Sequence, residues 1–165
     1  MRVVLRSGQN LWGLMKIIKT DNSNTDFLDL TTQLDTDLNE RYGVKQSAYD
    51  KLNVMDPIDT AIVGYYNETP VACGCFKMFN NTTIEIKRMF VQTGHRRNGF
   101  STKILKFLEK WASELGYSKA ILETGKRQPE AIALYQKAGY QIIGNYGPYR
   151  GFENSVCMEK NIQPL

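Results

Sequence analysis

The feature that most constrains this chain is a change of hydrophobic period near its middle. Between residues 60 and 91 three short apolar-rich runs, Thr60–Tyr66, Val71–Phe79 and Thr82–Val91, are separated only by Asn67-Glu68-Thr69-Pro70 and Asn80-Asn81. Connections this short join antiparallel neighbours, so the runs predict a meander of three strands. After a loop punctuated by Gly94 and Gly99 the spacing becomes helical. Ile104, Leu105, Leu108, Trp111, Ala112 and Leu115 fall on one stripe, predicting a helix over Asn98–Leu115 that Gly116 stops.

The flanks extend this pattern. Met15–Thr20 reads as a first strand. Thr25 or Asp26 can cap a helix that carries Phe27, Leu30, Leu34 and Leu38 on one face and ends at Tyr42-Gly43. A second short helix is predicted around Gln46–Leu52, ahead of Asp56-Pro57. Further on come a strand at Ala120–Glu123, a helix at Pro129–Ala138, a strand at Tyr140–Ile143 and a last strand within Asn154–Lys160. Proline opens the helix and Gly139 closes it. The second half is thus a β-α-β-α-β alternation grafted on a meander, which predicts one α/β domain with a mixed β-sheet and helices on both faces. Met1–Leu14 has no clear period and reads as an N-terminal extension of a domain spanning 15–165.

The chain has 165 residues, 42% of them hydrophobic and 23% charged, enough to bury a core without staples. No apolar run reaches the roughly 18–20 residues needed to span a bilayer. Met1–Leu14 lacks the continuous apolar stretch and cleavage site of a signal peptide. Three cysteines are an odd number, and Cys73 and Cys75, two apart in a strand, have poor disulfide geometry. The single histidine, His95, lies far from any Cys-x-x-Cys pattern, so no metal is expected. These features predict a cytoplasmic protein with no membrane partner. The net charge of +4 is unevenly spread: six acidic and no basic residues from Asp21 to Glu40, seven basic residues against Glu109 alone from Lys87 to Lys110. A basic stripe suits nucleic acid, a phosphorylated cofactor or a solvated helix face. With no aromatic-interleaved basic run, nucleic acid is not expected.

The chemistry is concentrated where a strand enters the loop Gln92-Thr93-Gly94-His95-Arg96-Arg97-Asn98-Gly99 and the long helix begins at once. Helix N-termini present unpaired N–H groups and partial positive charge, glycine permits close approach, and arginines and hydroxyls add contacts, so the loop suits a phosphate. A tight connection with surface arginines is the plainer alternative. Gly94 and Gly99 have the spacing of a Walker A loop, but Phe100-Ser101 stands where Lys-Ser/Thr is required, and G-x-G-x-x-G is absent. A nucleoside triphosphatase is therefore not expected.

Arg96-Arg97-Asn98-Gly99-Phe100-Ser101 resembles the [QR]-x-x-G-x-[GA] signature of the GCN5-related N-acetyltransferase (GNAT) family, with Ser101 in place of Gly or Ala. Ala131-Ile132-Ala133-Leu134-Tyr135-Gln136-Lys137-Ala138-Gly139-Tyr140 resembles the same family's A-x-x-L-Y-x-x-x-G-[FY] helix. The stretch Glu123-Thr124-Gly125 with Arg127-Gln128-Pro129-Glu130 looks like a bacterial subgroup. The resemblance covers Met15 to about Lys160 and is specific over 83–140. It implies an acetyl-CoA-dependent N-acetyltransferase acting by direct attack of a primary amine, a small molecule or a lysine, and it leaves room for a homodimer. A non-catalytic acyl-CoA-binding regulatory module on the same fold is the alternative.

Carried over residue by residue, the resemblance implies that acetyl-CoA lies between two parallel strands that splay apart. The backbone of Met89, Phe90 and Val91 would bond the pantetheine. Arg96, Arg97, Asn98, Gly99, Phe100, Ser101 and Thr102 would hold the pyrophosphate, and Gln128 would touch the cofactor where the family often has Asn. Tyr135 matches the general acid and Glu85 the place of a general base, with Glu123 a second candidate. The alternatives are a packed aromatic for Tyr135 and a carboxylate paired with Lys87 or Arg88 for Glu85. The acidic stretch Asp21–Glu40 would border the acceptor cleft and favour a cationic acceptor.

Overall fold

The computed structural model describes residues 15–43 and 56–163. The proposed extension and the helix expected around Gln46–Leu52 lie outside them. Seven strands and three helices follow in the order β1 (Met15–Thr20), α1 (Thr25–Tyr42), β2 (Ala61–Tyr66), β3 (Thr69–Asn80), β4 (Thr83–Val91), α2 (Phe100–Glu114), β5 (Lys119–Gly125), α3 (Pro129–Lys137), β6 (Gln141–Ile143) and β7 (Ser155–Asn161). They form one sheet in the order β1-β2-β3-β4-β5-β7-β6. Only β4 and β5 pair in parallel, because α2 carries the chain back across the sheet between them.

Most strand ends move by one or two residues from the sequence expectation, β3 taking in Thr69 and Pro70 of the expected turn, and two helix starts differ for clear local reasons. Asn24, not Thr25 or Asp26, caps α1, its Oδ1 accepting from the Phe27 N–H at 3.0 Å. The long helix starts at Phe100 rather than Asn98, because Gly99 sits at φ 76, a left-handed conformation that cannot continue into a helix and that glycine adopts freely.

Each sheet face is covered by a different helix. Phe100, Ile104, Leu105, Leu108 and Ala112 of α2 pack on Ile62, Ala72, Phe76, Ile84, Ile86, Ala120 and Leu122. On the other face Phe27, Leu30 and Leu34 of α1 meet Ala61, Val63, Cys73, Cys75 and Phe90. Both faces of β3 are therefore dry, and its two cysteines are free thiols in that second core. Burial pushes the Cys75 thiol up to about 12, so it stays protonated. No helix among the described residues is long and apolar enough to cross a membrane.

Candidate active site

The sheet opens at its centre. The last parallel pair is Ile86 with Leu122, yet β4 runs on to Val91 and β5 to Gly125 without pairing, leaving a V-shaped gap. On its other edge β4 carries a bulge. Cys73 lies opposite Phe90 and Cys75 opposite Lys87, so Arg88 and Met89 together face the single Gly74. A Cβ at Gly74 would stand 2.9 Å from the Met89 sulfur and from Leu108 Cδ1, so any side chain there would have to push the ends of these two aside. Neither Arg88 nor Met89 has a register partner on β3 or β5. Ile86, Met89, Glu123, Gln128 and Tyr135 line the cavity formed in the V, with Leu34, Leu38 and Tyr42 of α1 as its wall.

The loop beyond β4 is held by its own polar groups. A short turn, Thr93–His95, precedes Arg96. Arg96 is turned inward: its Nε donates to Val91 O at 3.0 Å, its Nη2 lies 3.4 Å from Asp37 Oδ2, and it stacks 5.6 Å over Phe90. Asn98 Nδ2 donates to His95 O at 3.1 Å. Arg97, at φ 63, is exposed and has no partner among the described residues. The Lys103 N–H makes the first bond of α2, to Gly99 O, and no side chain caps the helix, so the N–H groups of Phe100, Ser101 and Thr102 remain available. The Phe100 ring itself is buried against Tyr66, and His95 packs edge-on to the Tyr66 ring at 6.0 Å.

The cavity brings Tyr135 and Glu123 together and sets Glu85 beneath them. Tyr135 is 7% exposed, edge-on to Tyr140 at 5.8 Å, and its hydroxyl bonds no described residue. Burial, then the charge of Glu123, pushes its phenol well above the ordinary value. Glu123 rises to about 7, mainly through burial, against which a hydrogen bond from Ser155 and the charge of Lys87 act. Glu85 is 4% exposed, and both its oxygens are engaged: Oε2 accepts from Tyr146 OH at 2.7 Å and Oε1 lies 3.3 Å from Lys87 Nζ. Lys87 also donates to Tyr149 OH at 3.3 Å. The paired arrangement raised as the alternative for Glu85 is thus present, with Lys87 as the partner.

Gln128 and Tyr42 tie the two walls of the V together. Gln128 Oε1 accepts from the Gly125 N–H at 3.2 Å and faces Tyr42 OH at 3.4 Å, which leaves the amide NH2 for a ligand. The Tyr42 hydroxyl also accepts from the Arg127 N–H at 3.2 Å. It occupies the space a Gly125 side chain would need, 1.7 Å from an added Cβ. Tyr42, Tyr146 and Tyr149 were not singled out as site residues from sequence, and Lys87 only as a partner for Glu85. Only the Gly125 of Glu123-Thr124-Gly125 hinted at a close approach there. The acidic run on α1 is largely engaged: Asp26 accepts from Tyr65 OH, Asp35 pairs with Arg88 at 2.9 Å, and Asp37 pairs with Arg41 and Arg96. What α1 turns to the cavity is apolar or aromatic, so the expected cationic preference finds no α1 carboxylate there.

The raised Glu123 value has a consequence for stability that needs no acceptor. A carboxyl whose folded value lies above its unfolded one binds its proton more tightly when folded, so its cost is absent below about pH 4.5 and grows as pH rises through about 7. Glu123→Gln mimics the protonated form. It is expected to match the wild type at pH 4.5 and to exceed it by about 2–3 kcal/mol at pH 8 in urea denaturation. A stability difference independent of pH would show that Glu123 is not held near neutrality.

Relatives share this architecture and sequence. The profile of the family described as "Acetyltransferase (GNAT) family" matches residues 24–140. The IAA acetyltransferase of Azospirillum brasilense is 33% identical over 135 residues, covering 81% of this chain and 88% of that protein. Among solved structures, an acetyltransferase of the GNAT family from Staphylococcus aureus Mu50 superposes with TM-score 0.70 at 15% identity, covering 90% of this chain and 99% of that one. A GNAT family acetyltransferase from Elizabethkingia anophelis, with acetyl-CoA bound, superposes with TM-score 0.66 at 16% identity over 90% and 98% of the two chains. This chain belongs to the GNAT acetyltransferase family.

Proposed function

We propose that the protein transfers the acetyl group of acetyl-CoA to a primary amine, of a small molecule or a lysine, by direct attack. The observation that carries this reading is the conjunction of the splayed β4–β5 gap with the uncapped N-terminus of α2 at its mouth. The site fits the cosubstrate: Gly99 leaves the helix end open to an anion, Arg97 is exposed beside it, and the cavity wall offers unpaired strand. In this reading the N–H groups of Phe100, Ser101 and Thr102, with Arg97, receive the pyrophosphate. Arg96 and Asn98 shape the loop from within, and Met89, Phe90 and Val91 offer backbone to the pantetheine. The Gln128 NH2 adds a donor.

Acetyl-CoA supplies the thioester that the amine attacks. Backbone N–H groups at the bulge face the charge that develops on the acetyl oxygen. Glu123, poised near pH 7 and lining the cavity, takes a proton from the incoming amine. Glu85, the base that the resemblance implied, is held by Lys87 and Tyr146 and acts on Glu123 through its charge. Tyr135 gives its proton to the departing sulfur. The transferase domain spans 15–165 with Met1–Leu14 as an extension, and three free, buried cysteines support a cytoplasmic setting.

The test is a thiol-release screen with acetyl-CoA against polyamines, amino acids, arylalkylamines, aminoglycosides and lysine peptides. Turnover above hydrolysis with at least one class is expected. Acetyl-CoA binding with no acceptor in any class would favour a non-catalytic acyl-CoA-binding module.

A further inference from the structure

Arg88 breaks two local rules at once. It is the one non-glycine residue inside a described strand with positive φ, at 58°; Asn67 and Glu68 form the β2–β3 turn, and Arg97 lies in a loop. A left-handed conformation is energetically costly for a residue that carries a side chain. Arg88 is also buried, 9% exposed, and its Nε–H has no hydrogen-bond partner among the described residues. Costs of this kind persist only where the surroundings over-determine them, and they gather at functional sites.

What over-determines Arg88 lies on α1. Its Nη2 donates to Thr31 O at 3.0 Å and pairs with Asp35 Oδ1 at 2.9 Å. Thr31 is itself 4% exposed, so this anchor is fixed within the fold, whereas the Asp35 side chain is about half exposed. On the strand side the Arg88 carbonyl accepts from Cys73 Sγ at 3.4 Å. The side chain therefore reaches from the bulge to the middle of α1, while Met89, the other bulge residue, lines the cavity from the adjoining position. A buried arginine paired to one half-exposed carboxylate adds little to net stability, since desolvation offsets attraction. Its consequence is geometric: it ties to α1 the strand segment of residues 88 and 89, which has no register partner on β3 or β5.

We propose that Arg88 is a positioning residue, whose clamp on Thr31 and Asp35 holds the β4 bulge left-handed and so aims its backbone N–H groups at the acetyl carbonyl. This rests on the transferase reading above. It makes α1, which walls the acceptor side, the element that sets hydrogen bonding to the thioester.

The test needs no acceptor. Acetyl-CoA carrying 13C at the acetyl carbonyl is bound to the protein, and the isotope-edited infrared band of that carbonyl is recorded. In the wild type it is expected at lower frequency than in free acetyl-CoA, as a carbonyl accepting hydrogen bonds is. Arg88→Gly keeps the freedom to adopt the bulge conformation but removes the clamp. Asp35→Ala removes one anchor and leaves the strand untouched. Arg88→Gly should lose most of the band displacement and Asp35→Ala part of it, with acetyl-CoA affinity and circular dichroism little changed. The full displacement surviving in both folded variants would overturn the positioning role while leaving the transferase reading intact. A wild type that binds no acetyl-CoA would remove that reading, and this role with it.

Discussion

Gly99→Glu abolishes the thermal stabilisation that acetyl-CoA gives the wild type: that is the expected result of placing a carboxylate where the proposed pyrophosphate docks. Gly99 is the residue before α2, at φ 76, and the three N–H groups that follow have no capping side chain. A ligand binding only the native state at one hundred times its dissociation constant adds about 2.7 kcal/mol. For a domain of this size that is about 5–10 °C in Tm. The glutamate acts twice. Its own carboxylate can settle on the helix N-terminus, and its charge then repels the incoming anion. The left-handed backbone also disfavours it. Gly99→Asn separates these effects, because asparagine tolerates that conformation without charge and should retain most of the shift. Differential scanning fluorimetry in saturating acetyl-CoA decides the matter. An undiminished shift in the glutamate variant would place the pyrophosphate elsewhere.

Tyr135→Phe is expected to lower kcat by roughly 10²–10⁴, the usual worth of a positioned acid, with acetyl-CoA affinity little changed. The ring is buried on α3 against Tyr140 and phenylalanine keeps that packing, so the fold should not suffer. The hydroxyl bonds no described residue, so its removal strands no partner. Burial raises this phenol, which makes it a reluctant donor. The same low-dielectric cavity also makes a departing thiolate more basic, so donor and acceptor stay matched. Single-turnover kinetics, with the acceptor found by the screen, separates chemistry from release. Near-normal single-turnover rates in the phenylalanine variant would assign the proton to water or another side chain.

The parts of this molecule legible in its sequence are those written locally. The meander, the long amphipathic helix, the glycine before α2 and the motif around Tyr135 each depend on neighbours in the chain. The bulge at Arg88 has no such signature, because it arises from β3, β4 and the absent Gly74 side chain together. Choosing between Glu85 and Glu123 likewise required the β4–β5 register. Both point from neighbouring strands, yet only the engagement of Glu85 by Lys87 and Tyr146 leaves Glu123 as the carboxylate lining the cavity. Asn24, Thr25 and Asp26 are all good caps, and only geometry shows that Asn24 reaches the Phe27 N–H.

The ion pairs between α1 and the β4 region bear on how the protein meets other molecules. Along the chain, an acidic run at residues 21–40 and a basic run at 87–110 suggest a strongly polarised particle. Folding sets these runs against each other, Asp35 on Arg88 and Asp37 on Arg96, so part of each cancels at contact distance. Beyond a Debye length of about 8 Å such pairs are nearly invisible. Diffusional encounter is therefore steered less by the whole molecule than the charge runs imply, and more by single exposed cations such as Arg97 beside the α2 terminus. A polyanionic ligand would be drawn to that point at short range, with only a modest dependence of its association rate on salt.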